Sequence, residues 1–108
     1  MISEATFRGR SRELTFGSNS FVGCGFRWLL AHASAGSLAL SLPDARTLRR
    51  GAPVQVIFNR GSNAFAVKDA GGGTLVASLA VDDAAFLDLL DNSTAAGTWV
   101  AETRTKLA

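Results

Sequence analysis

The feature that most constrains the fold of this chain is a turn signal recurring about every 8–12 residues, a spacing typical of all-β sandwiches and barrels. Clusters of Gly, Asn, Asp and Pro separate short segments that alternate in polarity or carry β-branched and aromatic residues. These segments are 12–16, 37–42, 54–58, 64–68, 74–79 and 98–101. The pattern predicts an all-β fold, an antiparallel β-sandwich or barrel-like meander, with a hairpin between 54–58 and 64–68.

Two segments leave helix and strand open. In 84–90, apolar residues at Ala85, Phe86, Leu89 and Leu90 have helical spacing, and Asp82 could cap one short helix. The position of this segment within a run of predicted hairpins favours a strand instead. Segment 26–32 is equally ambiguous.

The size and charge of the chain predict one globular domain with an unusual front end. It has 108 residues, of which 47% are hydrophobic and 19% charged, with a net charge of +2. Residues 1–50 carry an excess of Arg, whereas residues 51–108 carry an excess of carboxylates. We therefore divide the chain into an extended basic N-terminal arm, 1–12, and a single β domain, 13–108. Arg8, Arg10 and Arg12 alternate, so an extended arm would place them on one face.

Catalytic and metal chemistry have little support in the residue types present. A single Cys and a single His exclude a Cys-based zinc site and a multi-His metal site. Cys24 lies between glycines and is interpreted as a packed thiol, and His32 has no nucleophile beside it in the sequence. The aspartates between 82 and 91 lack the spacing of an EF-hand loop. We therefore expect no catalytic residues, no metal, no cofactor and no enzymatic activity.

The aromatic residues divide into predicted core and predicted contact residues. Phe58, Phe65 and Trp99 lie in predicted strands and are assigned to the core. Trp28 follows Arg27 and could belong to the core or to an interface, and Phe7 is a candidate anchor on the basic arm. The candidate partner-binding residues are therefore Phe7, Arg8, Arg10, Arg12, Arg27 and Trp28.

Four strings between residues 37 and 100 carry a resemblance to a known group of proteins. They are LSLPDA (40–45), GAPVQVIFNRGSN (51–63), VKDAGG (67–72) and AGTWV (96–100). In this order they resemble a small β module of tailed-bacteriophage virion proteins, namely capsid decoration proteins, head fibres and tail-fibre or spike modules. Residues 1–36 carry no comparable signature.

This resemblance implies a virion structural protein on the capsid surface or on an appendage. The shortness of the chain favours a capsid decoration (cement) protein that binds the major capsid protein shell and stabilises the head. A tail fibre, head fibre or other appendage component is the alternative, and a carbohydrate-binding β-sandwich is a third. We expect virion proteins as partners and a homo-oligomer, with a trimer favoured; a membrane is not expected as a partner, and nucleic acid is disfavoured.

Overall fold

The computed structural model describes residues 11–22, 28–48 and 55–105, with residues 11 and 12 described by their backbone alone. These residues form nine β-strands and one short 3-10 turn, Ala45–Thr47. The strands are β1 (Ser11–Phe16), β2 (Ser20–Phe21), β3 (Trp28–Ala33), β4 (Leu38–Ser41), β5 (Gln55–Asn59), β6 (Phe65–Lys68), β7 (Thr74–Leu79), β8 (Ala84–Asp91) and β9 (Thr98–Arg104).

The strands form two sheets that pack face to face as a sandwich. Sheet A has the order β1-β3-β5-β8-β9, and sheet B has the order β2-β4-β6-β7. The predicted all-β sandwich is thus confirmed. The ambiguous segment 84–90 lies within strand β8, and most of segment 26–32 lies within β3.

The first six strands are connected as successive coils. Strands β1, β3 and β5 pair in parallel in sheet A, and β2, β4 and β6 pair in parallel in sheet B. The chain therefore crosses from one sheet to the other at each step, and each pair of crossings adds one strand to each sheet. Strands β7, β8 and β9 then complete the sheets by antiparallel pairing. The prediction of an antiparallel meander was wrong for these first six strands, which pair with one another in parallel within each sheet.

The turn after β5 explains why the predicted hairpin is wrong. Asn59 is fully buried, and its amide nitrogen donates to the carbonyl oxygens of Leu79 at 2.8 Å and Asn63 at 2.9 Å. Its amide oxygen accepts from the backbone N–H of Gly61 at 3.1 Å. Asn63 in turn donates to the carbonyl oxygen of Ala33 at 2.9 Å. These bonds attach the turn to the preceding coil, so that the chain leaves sheet A and enters sheet B as β6.

Apolar side chains from both sheets form one core between them. The rings of Phe16 in sheet A and Phe65 in sheet B meet edge to face, with centroids 5.3 Å apart and an interplanar angle of 81°. Other fully buried side chains come from the inner positions of both sheets, among them Leu40, Ile57, Val67, Leu79 and Leu87. Phe65 therefore lies in the core as predicted, and Trp99 packs against its edge.

The connection from β8 to β9 packs closely on the 3-10 turn. Gly97 has a φ of +71°, a region that favours glycine. A Cβ atom at Gly97 would lie 2.5 Å from the Cβ of Ala45, which is fully buried. The backbone N–H of Ala45 donates to the carbonyl oxygen of Ala95 at 2.8 Å. These contacts hold the loop before β9 against the turn that follows β4.

Asp44 caps the 3-10 turn and pairs with a neighbouring arginine. Its carboxylate accepts from the backbone N–H of Arg46 at 2.9 Å and from the Arg46 guanidinium at 2.7 and 3.0 Å. The side-chain hydrogen bond from Arg46, with the backbone bond second, lowers the pKa of Asp44 to about 2.

Candidate functional site

The outer face of sheet A, which points away from the core, carries unusually large apolar side chains. In β3, Leu29, Ala31 and Ala33 are buried inward, so the alternation of the strand directs Trp28, Leu30 and His32 outward. Trp28 is 39% exposed and Leu30 is half-buried. An outward tryptophan in a central part of a sheet is a candidate for contact with another molecule.

The strand register brings further apolar residues beside these two. Trp28 lies opposite Val56, and Val56 lies opposite Phe86; Leu30 lies opposite Phe58. Val56 is only 3% exposed although it lies on the outer face, because the larger side chains beside it cover it. We call this group the aromatic patch, and it consists of Trp28, Leu30, Val56, Phe58 and Phe86.

Two ring contacts fix the geometry of the aromatic patch. The rings of Trp28 and Phe58 stack with centroids 5.5 Å apart and an interplanar angle of 7°. At the other side of the patch, the guanidinium of Arg104 lies over the Phe86 ring, 5.0 Å from its centroid. Contacts of each kind contribute about 0.5–1.5 kcal/mol at exposed sites, so they orient the rings more than they stabilise the fold.

Charged side chains border the aromatic patch on both sides. On the β1 side, the carboxylate of Glu13 lies 3.9 Å from Nε2 of His32. On the β9 side, Arg104 lies 3.6 Å from the carboxylate of Glu102. Both pairs are largely exposed, so each contributes little to stability. An apolar centre with aromatic residues and a charged border is the usual anatomy of a protein-binding surface.

Of the six predicted partner-binding residues, two lie in the part of the chain that the structure describes. Phe7, Arg8, Arg10 and Arg27 lie outside the described residues. Arg12 lies in β1, where its backbone pairs with Leu29. Trp28, left open between core and interface, belongs to the exposed outer face.

Sequence reasoning missed the other members of the patch. Phe58 was assigned to the core, but it lies half-buried on the outer face, because in β5 the neighbouring Ile57 takes the inward position. Phe86 and Arg104 were not singled out as contact residues. Parallel and antiparallel pairings between distant segments place them on the same face as Trp28, and a sequence pattern alone does not reveal that register.

Other candidate sites have structural explanations or lie outside the described ranges. Cys24 is outside them. Within 11–22, 28–48 and 55–105, no group of three or more His, Cys, Asp and Glu residues could hold a metal ion. The glycines at 71–73 form a hairpin tip in which Asp69 accepts from the backbone N–H groups of Gly71 and Gly73, at 2.9 and 2.8 Å. The amide of Asn92, in an N-x-S/T sequence, donates to the carbonyl oxygen of Leu48.

Sheet B presents a different outer face. It carries a shallow groove of about 340 Å³, lined mostly by small side chains such as Ala39, Ala66 and Ala77. Small side chains offer little apolar area for a partner to bury, so this groove is the weaker candidate. At the edge of the same sheet, Phe21 on β2 is 72% exposed.

Comparison of the chain with protein-family models, with curated proteins and with solved structures found no match. Among the described residues, no helix is long and apolar enough to cross a membrane. Any statement about function therefore depends on the residues of the chain and on the geometry of the sites described above.

Proposed function

We propose that this protein is a structural protein of a bacteriophage virion, a capsid decoration (cement) protein that binds the major capsid protein shell and stabilises the head. The observation that carries the proposal is the aromatic patch, a rigid apolar surface with a charged border on a central part of sheet A. The four sequence strings that resemble phage virion modules support this class of partner.

The physical basis of stabilisation is mass action. A protein that binds the assembled shell but not its dissociated subunits lowers the free energy of the shell at every occupied site. Hundreds of sites of modest affinity then add up to a large effect on the whole particle. A small rigid β-sandwich suits this role because it loses little conformational freedom on binding.

The test is attachment to capsids assembled without this protein. Purified chain is mixed with such capsids, bound copies are counted, and their positions are determined by electron cryo-microscopy. We expect dense, regular occupancy over the shell. The variant Trp28→Ala should weaken attachment at least tenfold, as expected for an aromatic residue at the centre of an interface.

Phe21→Ala is the matched control, since Phe21 is a more exposed aromatic residue on the other sheet. It should attach like the parent chain. Circular dichroism of both variants establishes that they are folded. If Trp28→Ala and Phe21→Ala reduced attachment equally, or if neither variant reduced it, the aromatic patch would be excluded as the docking surface.

The same experiment addresses the alternatives. Density confined to a vertex or to the tail would favour a fibre or other appendage component, which is present in few copies. The exposure of Trp28 is the observation that favours a carbohydrate-binding sandwich, because sugars stack on tryptophan rings. A glycan screen in which binding is lost with Trp28→Ala would support that function. Sedimentation of the free chain tests the predicted homotrimer.

A further inference from the structure

At one end of the aromatic patch, a guanidinium group of the protein itself contacts an aromatic ring. Arg104 lies over the Phe86 ring, and its guanidinium is 3.6 Å from the carboxylate of Glu102. Phe86 and Glu102 lie opposite each other in the register of β8 and β9. An aromatic ring and a carboxylate on adjacent strands therefore hold an arginine side chain within this molecule.

The same pair of groups recurs at the opposite end of the patch. Trp28 lies opposite Ser11, and Glu13 lies opposite Leu30, so Glu13 and Trp28 are diagonal neighbours on β1 and β3. Diagonal neighbours are within reach of long and aromatic side chains. Trp28 is 39% exposed and the Glu13 side chain is 60% exposed, so both are accessible to another molecule.

The charges around the patch favour a cationic partner group. Glu13, Asp88 and Glu102 occupy outward positions on β1, β8 and β9. The described cations of this face are Arg104 on β9 and the exposed Arg60, which follows β5 and whose backbone N–H donates to the carbonyl oxygen of Ala31 in β3. His32 lies 3.9 Å from Glu13 and is the one imidazole there. Three carboxylates against two guanidinium groups leave an excess of negative charge on this face, and Arg60 lies four residues further along the chain than Val56, the residue opposite Trp28.

We propose that Trp28 and Glu13 bind an arginine side chain from an extended segment of the partner protein. The guanidinium would stack on the indole of Trp28 and donate to the carboxylate of Glu13. Arginine suits this site better than lysine because its planar group stacks on rings and donates two parallel hydrogen bonds to a carboxylate. The inference rests on the proposed function only in taking the partner to be a virion protein.

The test uses the full chain and a blocked pentapeptide with a central arginine flanked by serine and glycine. The indole N–H resonances of Trp28 and Trp99 are followed by NMR during titration. Trp99 is an internal control, since its indole N–H donates to the carbonyl oxygen of Ala96 at 3.0 Å. We expect the Trp28 resonance alone to shift, and the corresponding lysine peptide to bind more weakly.

Two charge-removing variants complete the test. Glu13→Gln should weaken arginine-peptide binding about fivefold, as expected for loss of one exposed charge-assisted contact. Asp82→Asn, which removes an exposed carboxylate in the turn between β7 and β8, away from Trp28, should leave binding unchanged. Absence of a Trp28 shift, equal shifts with both peptides, or equal effects of both variants would overturn the inference.

Attachment to capsids separates this inference from the proposed function. Peptide binding by a chain that does not attach to capsids would refute the proposed function and leave the arginine site in place. If Trp28→Ala abolished attachment to capsids and Glu13→Gln left it intact, the aromatic patch would be supported as the docking surface. The inferred arginine contact would then not be part of that attachment.

Discussion

Replacing Asn59, the last residue of β5, with alanine should strongly lower the free energy of unfolding. The Asn59 side chain is fully buried and makes three hydrogen bonds, to the carbonyl oxygens of Leu79 and Asn63 and from the N–H of Gly61. It therefore joins β5, the turn that follows it and the end of β7. Alanine removes all three bonds together.

The expected loss follows from the burial of the groups left behind. The Leu79 carbonyl is at a buried position, so leaving it without this partner costs about 1–3 kcal/mol. The Gly61 N–H and the Asn63 carbonyl are half-buried and can recruit water, so each costs about 1 kcal/mol. The free energy of unfolding should fall by about 3–5 kcal/mol, a large share of the total for a domain of this size.

Urea denaturation followed by circular dichroism measures this loss. With a typical slope for a small domain, the midpoint should fall by about 2–3 M. Asn63→Ala is the matched control, because it removes a single half-buried donor to Ala33 and should cost about 1 kcal/mol. Asn59→Asp keeps an acceptor for Gly61 but turns a carboxylate toward two carbonyl oxygens, and should be at least as damaging as alanine. A loss for Asn59→Ala no larger than that for Asn63→Ala would refute the reasoning.

Two further predictions concern the other turns. Gly97→Ala should lower the free energy of unfolding by about 2–4 kcal/mol, because it combines an unfavourable φ with a collision against Ala45. Gly72→Ala, at φ +91° with open space around it, should cost only about 1–2 kcal/mol when both variants are measured by urea denaturation. Arg46→Gln should return the pKa of Asp44 from about 2 toward 3.8, measured by NMR titration of its carboxyl. Because the folded pKa is the lower one, the contribution of Asp44 to stability is present above pH 3.8 and is lost as the pH falls toward 2; an unchanged titration in Arg46→Gln would contradict this.

The positions of most strands could be predicted from local sequence. Segment 74–79 coincides with β7, and segments 37–42, 54–58 and 64–68 overlap β4, β5 and β6 within a residue or two. The sequence locates these strands because alternation and β-branched residues are local properties, and because the turns between the strands contain Gly, Asn and Asp. For 84–90, the helical spacing of apolar residues was overridden by pairing of β8 with strands on both sides.

The coiled connection could not be predicted in this way. A short turn between two apolar segments fits a hairpin as well as a crossing from one sheet to the other. Here the difference depends on Asn59 and Asn63, whose amides bond to Leu79 and Ala33 in distant strands. The stacked coils also carry no repeating sequence, since the loops between them differ in length and only the inward positions must be apolar.

The candidate site shows the same division between local and long-range information. Trp28 could be recognised as a contact candidate because a tryptophan beside an arginine is conspicuous in the sequence. The other rings of the patch, Phe58 and Phe86, come from β5 and β8, and only the register places them on the same face as Trp28. Phe58 was misassigned because nearly every residue of its segment is apolar, so the segment gives no indication of which side faces outward.

The four strings that resemble phage virion modules lie mainly where the fold needs particular residues. Asp44 caps the 3-10 turn, Asn59 holds the turn after β5, Asp69 closes the β6–β7 hairpin, and Gly97 takes a positive φ. The fold requires these residues, so the strings indicate the architecture more directly than they indicate a partner.

The aromatic patch is distributed differently along the sequence. Trp28, Leu30 and Phe86 lie outside all four strings, and so does Glu13, whereas Val56 and Phe58 lie within the string 51–63. Proteins that share the strings can therefore share this fold and still differ in what the outer face of sheet A binds. If the proposed function is correct, a chain carrying the same turns, but with small polar residues in place of Trp28 and Phe86, should fold in the same way and not attach to the capsid shell. Under the proposed function, the partner depends largely on positions that the resemblance does not cover, which is why the capsid experiment has to be done on this chain, with its patch intact and altered.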